Sequence, residues 1–288
     1  VDNALLFNSY EWASACWRHF HAAAPRRDAR LCVLAIWHDA KLRGIVPFWI
    51  KTKRVFGFRV RIAHFLGEGP SDYGDLLLDE ARHELLHVVV GYFGSRRDLC
   101  DLMELREFFG ESPNLAPFLR ALDGGGWHTI RTADSDCCCI PTDVGWDAYS
   151  RRQFSSSRSK DLRREWRHLE SAGGFNMALL DRVAAVGPLA DAFGAVQAAH
   201  VGASEPRPGE FNEPTFRPFL EEMLAIASAR GWLRLAVLRR NDVPVAYWLA
   251  FLYCGRYFVY NTAHRADIQF LGAGKLLMLF MLEKLFGE

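Results

Sequence analysis

One internal likeness constrains the fold of this chain more than any other feature of its sequence. Leu31–Val46 and Leu233–Trp248 align without gaps at an offset of 202 residues. In each segment an apolar strand pattern reaches a polar turn, Asp39-Ala40 or Asn241-Asp242, and a second apolar strand pattern follows. Strand hairpins are common, but the flanking helix patterns also match in order. The repeat therefore favours two copies of one α/β unit.

The remaining sequence supplies helices and strands for both units. Periodicity and turn residues predict, in the first half, helices at Tyr10–Phe20, Ala81–Phe93 and Asn114–Leu122, and strands at Leu31–Trp37, Leu42–Ile50, Val60–Leu66, Cys100–Leu105 and Trp127–Arg131. They predict, in the second half, helices at Trp146–Phe154, Ser159–Ser171, Leu189–Val201, Glu213–Arg230 and Gly274–Phe286, a loop at Gly202–Gly209, and a three-strand meander at Trp232–Arg239, Val243–Tyr253 and Arg256–Ala263. We expect the boundary near Pro141–Gly145, which gives halves 1–145 and 146–288.

Composition narrows the class of protein. A net charge of +1 gives no global attraction to nucleic acid or membrane. Apolar stretches stay below the roughly 20 residues that a bilayer requires, and no secretory leader pattern is visible. We therefore expect a cytoplasmic protein without a transmembrane segment. The seven cysteines, three of them consecutive at Cys137–Cys139, have neither zinc nor disulfide spacing, so we expect buried, reduced thiols.

A glycine-rich turn before the last predicted helix is the motif that carries chemistry. It reads Gln269-x-x-Gly272-Ala273-Gly274 and follows a predicted strand. Glycines at a helix start let a ligand approach the backbone, and the free N–H groups there bind phosphate oxygens; Lys275 adds a positive charge. A dinucleotide-binding fingerprint would need a third glycine within a parallel βαβ unit. The preceding strands instead form an antiparallel meander.

This arrangement resembles the GNAT superfamily of N-acetyltransferases, whose pyrophosphate loop reads Gln/Arg-x-x-Gly-x-Gly/Ala. The resemblance implies that acetyl-CoA or another acyl-CoA is the co-substrate. It implies a donor site formed by Asn261, Gln269, Phe270, Leu271, Gly272, Ala273, Gly274 and Lys275. It also implies a thioester near Tyr260–Asn261, with the Tyr260 hydroxyl as the acid for the leaving thiolate.

A wider resemblance covers nearly the whole chain. Tyr10-Glu11-Trp12, Gly44–Pro47, Phe65–Asp75 and the basic helix Ser157–Glu170 look like the CelD-type family, which is associated with bacterial cellulose and exopolysaccharide synthesis. That likeness implies two tandem GNAT-like halves, as in Fem-type aminoacyltransferases, and a sugar or glycan-precursor acceptor. The sequence departs from the family at Leu271-Gly272, where members often have Pro-Gly.

Four further side chains are candidates for acceptor binding or proton transfer. Asp72 and Tyr73 follow a strand within a Gly/Pro loop, where binding residues concentrate; an Asx-turn with a packed tyrosine is the alternative. His200 precedes a Gly/Pro-rich loop and His264 precedes the phosphate loop. Either histidine could act as a base near neutral pH, and either also fits an ordinary structural histidine.

Between Arg151 and His168 the chain has a strongly basic stretch. Its seven cations are Arg151, Arg152, Arg158, Lys160, Arg163, Arg164 and Arg167. Such runs are usually solvated helix faces; the functional alternative is a site for an acidic glycan, a lipid-linked phosphate sugar or a membrane surface. The charges have no interleaved aromatic platform, so we expect no DNA partner. No metal-binding motif is present in the sequence, so we expect no metal.

Together these features predict an α/β fold with two tandem GNAT-like halves, mostly antiparallel sheets flanked by helices, and a substrate groove between the halves. The function predicted first is an acyl-CoA-dependent acyltransferase (acetyltransferase) acting on a sugar or polysaccharide precursor. A Fem-type aminoacyl-tRNA-dependent transferase and a non-catalytic component of exopolysaccharide assembly are the alternatives.

Overall fold

The computed structural model describes residues 5–22, 28–80, 82–96, 98–133, 136–200 and 213–287. The chain divides into two compact units, Val1–Ser135 (unit 1) and Asp136–Glu288 (unit 2). Each unit has its own β-sheet. No described helix is long and apolar enough to cross a membrane.

Unit 1 contains a five-stranded sheet and three α-helices within the described residues. The strands are β1 (Ala29–His38), β2 (Lys41–Val55), β3 (Phe58–Phe65), β4 (Leu77–Leu78) and β5 (Leu102–Met103). The helices are α1 (Tyr10–Cys16), which continues as a π-helix over Trp17–Ala22, α2 (Arg82–Ser95) and α3 (Leu115–Gly124). The sheet order is β1-β2-β3-β5, with β4 paired to β2. All of these pairings are antiparallel except β3 with β5.

The core of unit 1 lies between one face of this sheet and the helices α2 and α3. Alternate residues of β2 and β3 point to that face because side chains alternate along a strand. They include Phe48, Ile50, Ala63 and Phe65, which are buried with Leu86 of α2.

Unit 2 contains a four-stranded antiparallel sheet in the order β6-β7-β8-β9. Its strands are β6 (Phe175–Leu180), β7 (Leu233–Arg240), β8 (Val243–Tyr253) and β9 (Arg256–His264). Its helices are α4 (Trp146–Gln153), α5 (Ser156–Ser171), α6 (Val186–Ala198), α7 (Phe216–Arg230) and α8 (Ala273–Leu285). Contacts of α6 with β8, of α7 with β7, and of α8 with both strands hold the helices on the sheet.

The repeat predicted from the sequence is present in both sheets, and the two hairpins also share a β-bulge at equivalent positions. The β1–β2 hairpin has a bulge between Ile36 and Trp37, and the β7–β8 hairpin has one between Leu238 and Arg239, at the same offset of 202 residues. Both hairpins turn through two residues with positive φ. This combination is typical of the two-residue turns whose twist matches that of the strands.

Several sequence predictions need correction. Trp127–Arg131 forms no strand, and Ile130 there is exposed, because these residues make no ladder pairing. The strand β6 was absent from the prediction. All seven cysteines are free, but Cys137, Cys138, Cys139 and Cys254 are exposed, since they lie in an irregular segment and a tight turn. The predicted loop Gly202–Gly209 lies outside the described residues.

Candidate active site

The glycine-rich turn leads directly into the N-terminus of α8. Ala266–Leu271 form a short 3-10 helix, Gly272 follows with φ +64°, and α8 begins at Ala273. The Leu276 N–H donates to the Gly272 carbonyl at 3.0 Å. The N–H groups of the three residues before Leu276 lie in the first helical turn, where no intrahelical acceptor exists. Together with the helix dipole they make this turn a cradle for an anion.

Both glycines of the turn are required by geometry, for different reasons. Gly272 has a left-handed backbone, which L side chains adopt at a cost. Gly274 has ordinary helical backbone, but a Cβ there would lie 3.1 Å from Nδ1 of His264. The turn is therefore narrow on the side of β9, and any larger residue at position 274 would push against His264.

An ion pair lies beside the cradle. Lys275 Nζ contacts Oε2 of Glu165, which comes from α5, and both side chains are mostly buried. The same Glu165 oxygen would be 3.2 Å from a Cβ on Gly272. A carboxylate thus already lies next to the helix N-terminus, and a bound anion would compete with it for Lys275. Sequence reasoning did not identify Glu165 as a site residue, because it is one acidic residue within a stretch dominated by arginine and lysine.

The other predicted donor-site residues divide between surface and core. Gln269 and Phe270 are exposed, and the Gln269 carbonyl accepts the Gly272 N–H at 3.0 Å. Leu271 and Ala273 are buried in the core between α8 and the sheet. Only their backbone can therefore serve a ligand, whereas Gln269 and Phe270 also offer side chains.

The strand β9 has a bulge at Tyr260. Leu249 pairs with Asn261 and Ala250 pairs with Val259, so Tyr260 is the extra residue. Its half-buried ring lies 5.7 Å from that of Phe251 and 6.3 Å from that of Phe216. β9 ends the sheet order, so no described strand pairs with its outer edge. Edge strands of this kind offer backbone N–H and C=O groups to a partner.

Asn261, beside the bulge, is held by a buried polar cluster. Its Oδ1 accepts hydrogen bonds from the Tyr247 hydroxyl at 2.6 Å and from Gln197 Nε2 at 3.1 Å. Tyr247 is fully buried and stacks on Phe193 with ring centroids 4.0 Å apart. These bonds fix the bulge against α6. Gln197 and Tyr247 were missed because their residue types have no spacing signature.

The two candidate histidines of unit 2 lie together. His200 Nδ1 is 2.7 Å from the carbonyl oxygen of His264, so His200 donates from Nδ1, and the ring centroids are 4.7 Å apart. Desolvation first, and the neighbouring His200 second, lower the pKa of His264. A neutral imidazole at physiological pH therefore lies against the start of α8, where it can accept a proton.

In unit 1, Asp72 and Tyr73 lie on a loop held by buried polar contacts. Trp12 Nε1 donates to Ser71 Oγ at 2.9 Å. The buried Asp75 accepts from the Leu76 N–H and from Asn114 Nδ2, at 2.7 and 3.1 Å. These contacts anchor both ends of the loop.

The two candidate residues themselves differ in their surroundings. Tyr73 packs against Phe7 and Phe109, with ring centroids 5.8 and 5.2 Å away, and it lines a small recess with Glu68 and Arg106. Asp72 has an exposed surface, yet desolvation by the surrounding protein raises the pKa of its carboxyl to about 6. It can therefore change charge close to neutral pH.

The comparisons with known proteins agree with this geometry. Residues 156–288 match the family model described as an acetyltransferase (GNAT) domain. The crystal structure of FemX is similar to this chain, with a TM-score of 0.62 at 10% sequence identity, over 98% of this chain and 81% of that chain. Curated protein sequences give no match.

The matched family segment contains the cradle, the β9 bulge and the histidine pair, which are the parts of the site in unit 2. The likeness to FemX extends over both units and concerns the fold. The chain thus has a mixed α/β fold of two sheets flanked by helices that is similar to FemX, and its C-terminal part is similar to GNAT-type acetyltransferase domains.

Proposed function

We propose that this chain transfers an acyl group from acetyl-CoA or another acyl-CoA to an amine or hydroxyl acceptor. The observation that carries the proposal is the cradle at Gly272–Lys275, where three N–H groups and a lysine lie beside β9, whose outer edge no described strand pairs with. Free N–H groups at a helix start bind phosphate oxygens. In this proposal the CoA pyrophosphate occupies the cradle and displaces the Glu165 carboxylate from Lys275.

The rest of the donor then follows β9. Its pantetheine amides pair with the outer edge of the strand, as extended ligands do at free sheet edges, and its thioester lies at the Tyr260 bulge. A backbone N–H at the bulge stabilises the oxyanion of the tetrahedral intermediate. The Gln197–Tyr247–Asn261 cluster supports this step by holding the bulge in one position.

The chemical step is a direct transfer. The neutral acceptor forms a bond to the thioester carbon, its proton passes to a base, and the carbon–sulfur bond breaks. The His200–His264 pair is the proposed base in unit 2, because the lowered pKa of His264 keeps it neutral. The Tyr260 hydroxyl is the proposed acid that protonates the leaving thiolate. Asp72 and Tyr73 are proposed to contact the acceptor.

We infer that the acceptor is an anionic sugar or a polysaccharide precursor. This rests on the resemblance to the CelD-type family and on the basic helices α4 and α5. In these helices Arg151, Arg152, Arg158 and Arg163 are exposed. Exposed cations on successive turns fit phosphate or carboxylate groups.

Thermal unfolding with acetyl-CoA tests the donor site. A ligand at a hundredfold excess over its Kd stabilises the folded state by about 2.7 kcal/mol, which raises Tm by about 5 °C in a chain of this size. Gly274→Asp places a carboxylate in the cradle and should abolish the shift. Gly187 is the matched control, since it occupies the same second position of α6 with open space around it. Gly187→Asp should keep the full shift.

A Fem-type transfer from aminoacyl-tRNA is the second candidate. The likeness to FemX over 98% of the chain and the exposed cations of α4 and α5 favour it. In that case acetyl-CoA and longer acyl-CoAs leave Tm unchanged. Aminoacyl-tRNA would then bind with an affinity that falls with salt and with Arg158→Gln and Arg163→Gln. A shift with acetyl-CoA that Gly274→Asp removes would reject this candidate.

A further inference from the structure

The tip of the β2–β3 hairpin has a surface that neither the fold nor the proposed chemistry explains. Its two turn residues are Phe56 and Gly57, with φ +48° and +85°. Phe56 is 97% exposed and Phe58 is 75% exposed, and Val55, which pairs with Phe58, is exposed as well. Aromatic side chains stabilise proteins mainly by burial. These two contribute almost nothing of that kind to the folded chain.

Phe56 also has an unfavourable backbone. A bulky residue with positive φ is a conformational outlier, and turns of this kind prefer Asn, Asp or Gly. The Asn241-Asp242 turn of unit 2 follows that preference. An exposed phenylalanine in such a conformation destabilises the hairpin slightly without any packing in return. This points to a role in binding.

Cations surround the aromatic tip. Lys51, Lys53, Arg54, Arg59 and Arg61 lie on the two strands, and Lys51–Arg61 contains no acidic residue. Arg61 is neutralised by a two-point hydrogen bond to Asp101. The other four have no ion pair among the described residues. Four charges are thus available on one hairpin of a chain whose net charge is only +1.

Two of these charges oppose each other directly. Arg54 and Arg59 are cross-strand partners in the register of β2 and β3. Like charges in such a pair destabilise a sheet unless an anion lies between or above them. A recess beside the tip is lined by Trp49, Lys51, Lys53, Arg54 and Arg59, with Asp28 as the acidic residue in its wall. The electrostatics of the tip therefore favour an extended anionic partner.

The hairpin also projects from its sheet. β1 pairs with β2 only up to Lys51, and β5 pairs with β3 only at Ile62 and Ala63. Thr52 still donates its N–H to the Asp28 carbonyl, and Arg61 still bonds to Asp101. Beyond Thr52 and Arg61 the two strands pair with each other alone among the described residues. At about 3.3 Å per residue, the four cations lie roughly 7 to 17 Å behind Phe56. That spacing fits a bilayer, in which apolar side chains enter about 5–10 Å and cations stay at the phosphates.

We propose that the tip of the β2–β3 hairpin docks this protein on anionic membranes, with Phe56 and Phe58 inserted and the four cations at the headgroups. A narrow projecting tip suits a lipid surface, which yields to insertion. A folded protein partner would instead need a broad complementary face. The inference is independent of the proposed acyl transfer.

Vesicle flotation with the full chain tests this inference. Vesicles of phosphatidylcholine with phosphatidylglycerol should bind the protein at low salt, and vesicles of phosphatidylcholine alone should bind it far less. Each cation near an anionic surface contributes about a factor of five. Arg54→Gln with Arg59→Gln should therefore weaken binding by about 30-fold, and Phe56→Ser with Phe58→Ser, which removes both inserted rings, by about 100-fold or more.

Two matched controls locate the effect. Arg120→Gln with Arg131→Gln removes the same charge from exposed positions elsewhere in unit 1, and Tyr10→Ser removes an aromatic ring there that is 81% exposed. Both should keep the wild-type binding. A tryptophan probe, Phe56→Trp, should show a blue-shifted emission with the anionic vesicles.

Three results would overturn the proposal. The first is a wild-type chain that does not float with anionic vesicles at low salt. The second is binding that is lost in the control Arg120→Gln with Arg131→Gln and kept in the hairpin variants. The third is hairpin-dependent binding to oligothymidylate without binding to vesicles, which would assign the tip to a single-stranded nucleic acid.

Discussion

At the scale of single residues, the Glu165 carboxylate lies where an anion would enter the cradle. It contacts Lys275 and lies next to Gly272 at the start of α8. A carboxylate at a helix N-terminus has a favourable interaction of its own. In the proposed donor complex the incoming pyrophosphate must replace that interaction, so we expect Glu165 to weaken donor binding.

Glu165→Gln should therefore tighten the binding of CoA. Loss of the competing charge contributes about 1 kcal/mol at a partly exposed ion pair, which corresponds to a Kd lower by about fivefold. Isothermal titration measures the change. Glu283→Gln, at an exposed position near the end of α8, removes an equal charge away from the cradle and should leave Kd unchanged. An unchanged or weaker affinity in Glu165→Gln would contradict the competition.

For single residues, the sequence identifies the glycine-rich turn before α8 but not the polar residues that pack around it. The turn at Gly272 and Gly274 can be predicted because glycines before an apolar helix have a recognisable spacing; its role in binding phosphate stays a prediction. Glu165, Gln197 and Tyr247 cannot be predicted, since they reach the site only through tertiary packing of α5, α6 and β8. Long-range contacts between single polar residues leave no local pattern in one sequence.

At the scale of elements, the two bulged hairpins test how turn chemistry controls stability. Ala40 is at the second position of the β1–β2 turn with φ +58°. An alanine in this region is strained relative to glycine.

Ala40→Gly should consequently stabilise unit 1 by about 0.5–1 kcal/mol, or roughly 2 °C in Tm. Differential scanning calorimetry is the measurement. Ala35→Gly, in the adjacent strand β1, is the control and should lower Tm, because glycine weakens a strand interior. A loss of stability in Ala40→Gly would show that the turn has another conformation.

Most elements could be predicted because hairpins and amphipathic helices carry their pattern locally. The strand meander β7–β9 and the helices α2, α5 and α7 lie close to the predicted bounds. The strand predicted at Trp127–Arg131 is absent because a strand pattern forms a strand only where a pairing edge is available. The strand β6 was missed because its six residues, apolar except for Asn176, form a short run that periodicity alone cannot assign.

At the scale of the whole molecule, the two units are joined by an irregular connection. The described residues 128–133 and 136–145 contain no helix or strand, and most of them are exposed. Exposed segments without backbone pairing are the preferred sites of proteolysis.

Limited digestion with trypsin should therefore cut first after Arg131. Mass spectrometry should find two fragments that meet at Arg131 and Thr132, while arginines within the helices and strands are cut later. Arg131→Gln should remove this early pair of fragments. Early cleavage within β2 or α5, with the Arg131 bond still intact, would contradict the picture of two compact units.

The uneven burial of the cysteines makes the chain suitable for site-specific labelling. Burial raises the pKa of the Cys16 and Cys32 thiols, and raises that of Cys100 to about 11. These three stay protonated and slow to react at neutral pH. With Cys137, Cys138 and Cys139 replaced by serine, Cys254 in the β8–β9 turn becomes the single reactive thiol among the described residues. A fluorophore there would lie at the start of the strand that contains the Tyr260 bulge, and would test for binding at the proposed donor site without any change to the cradle.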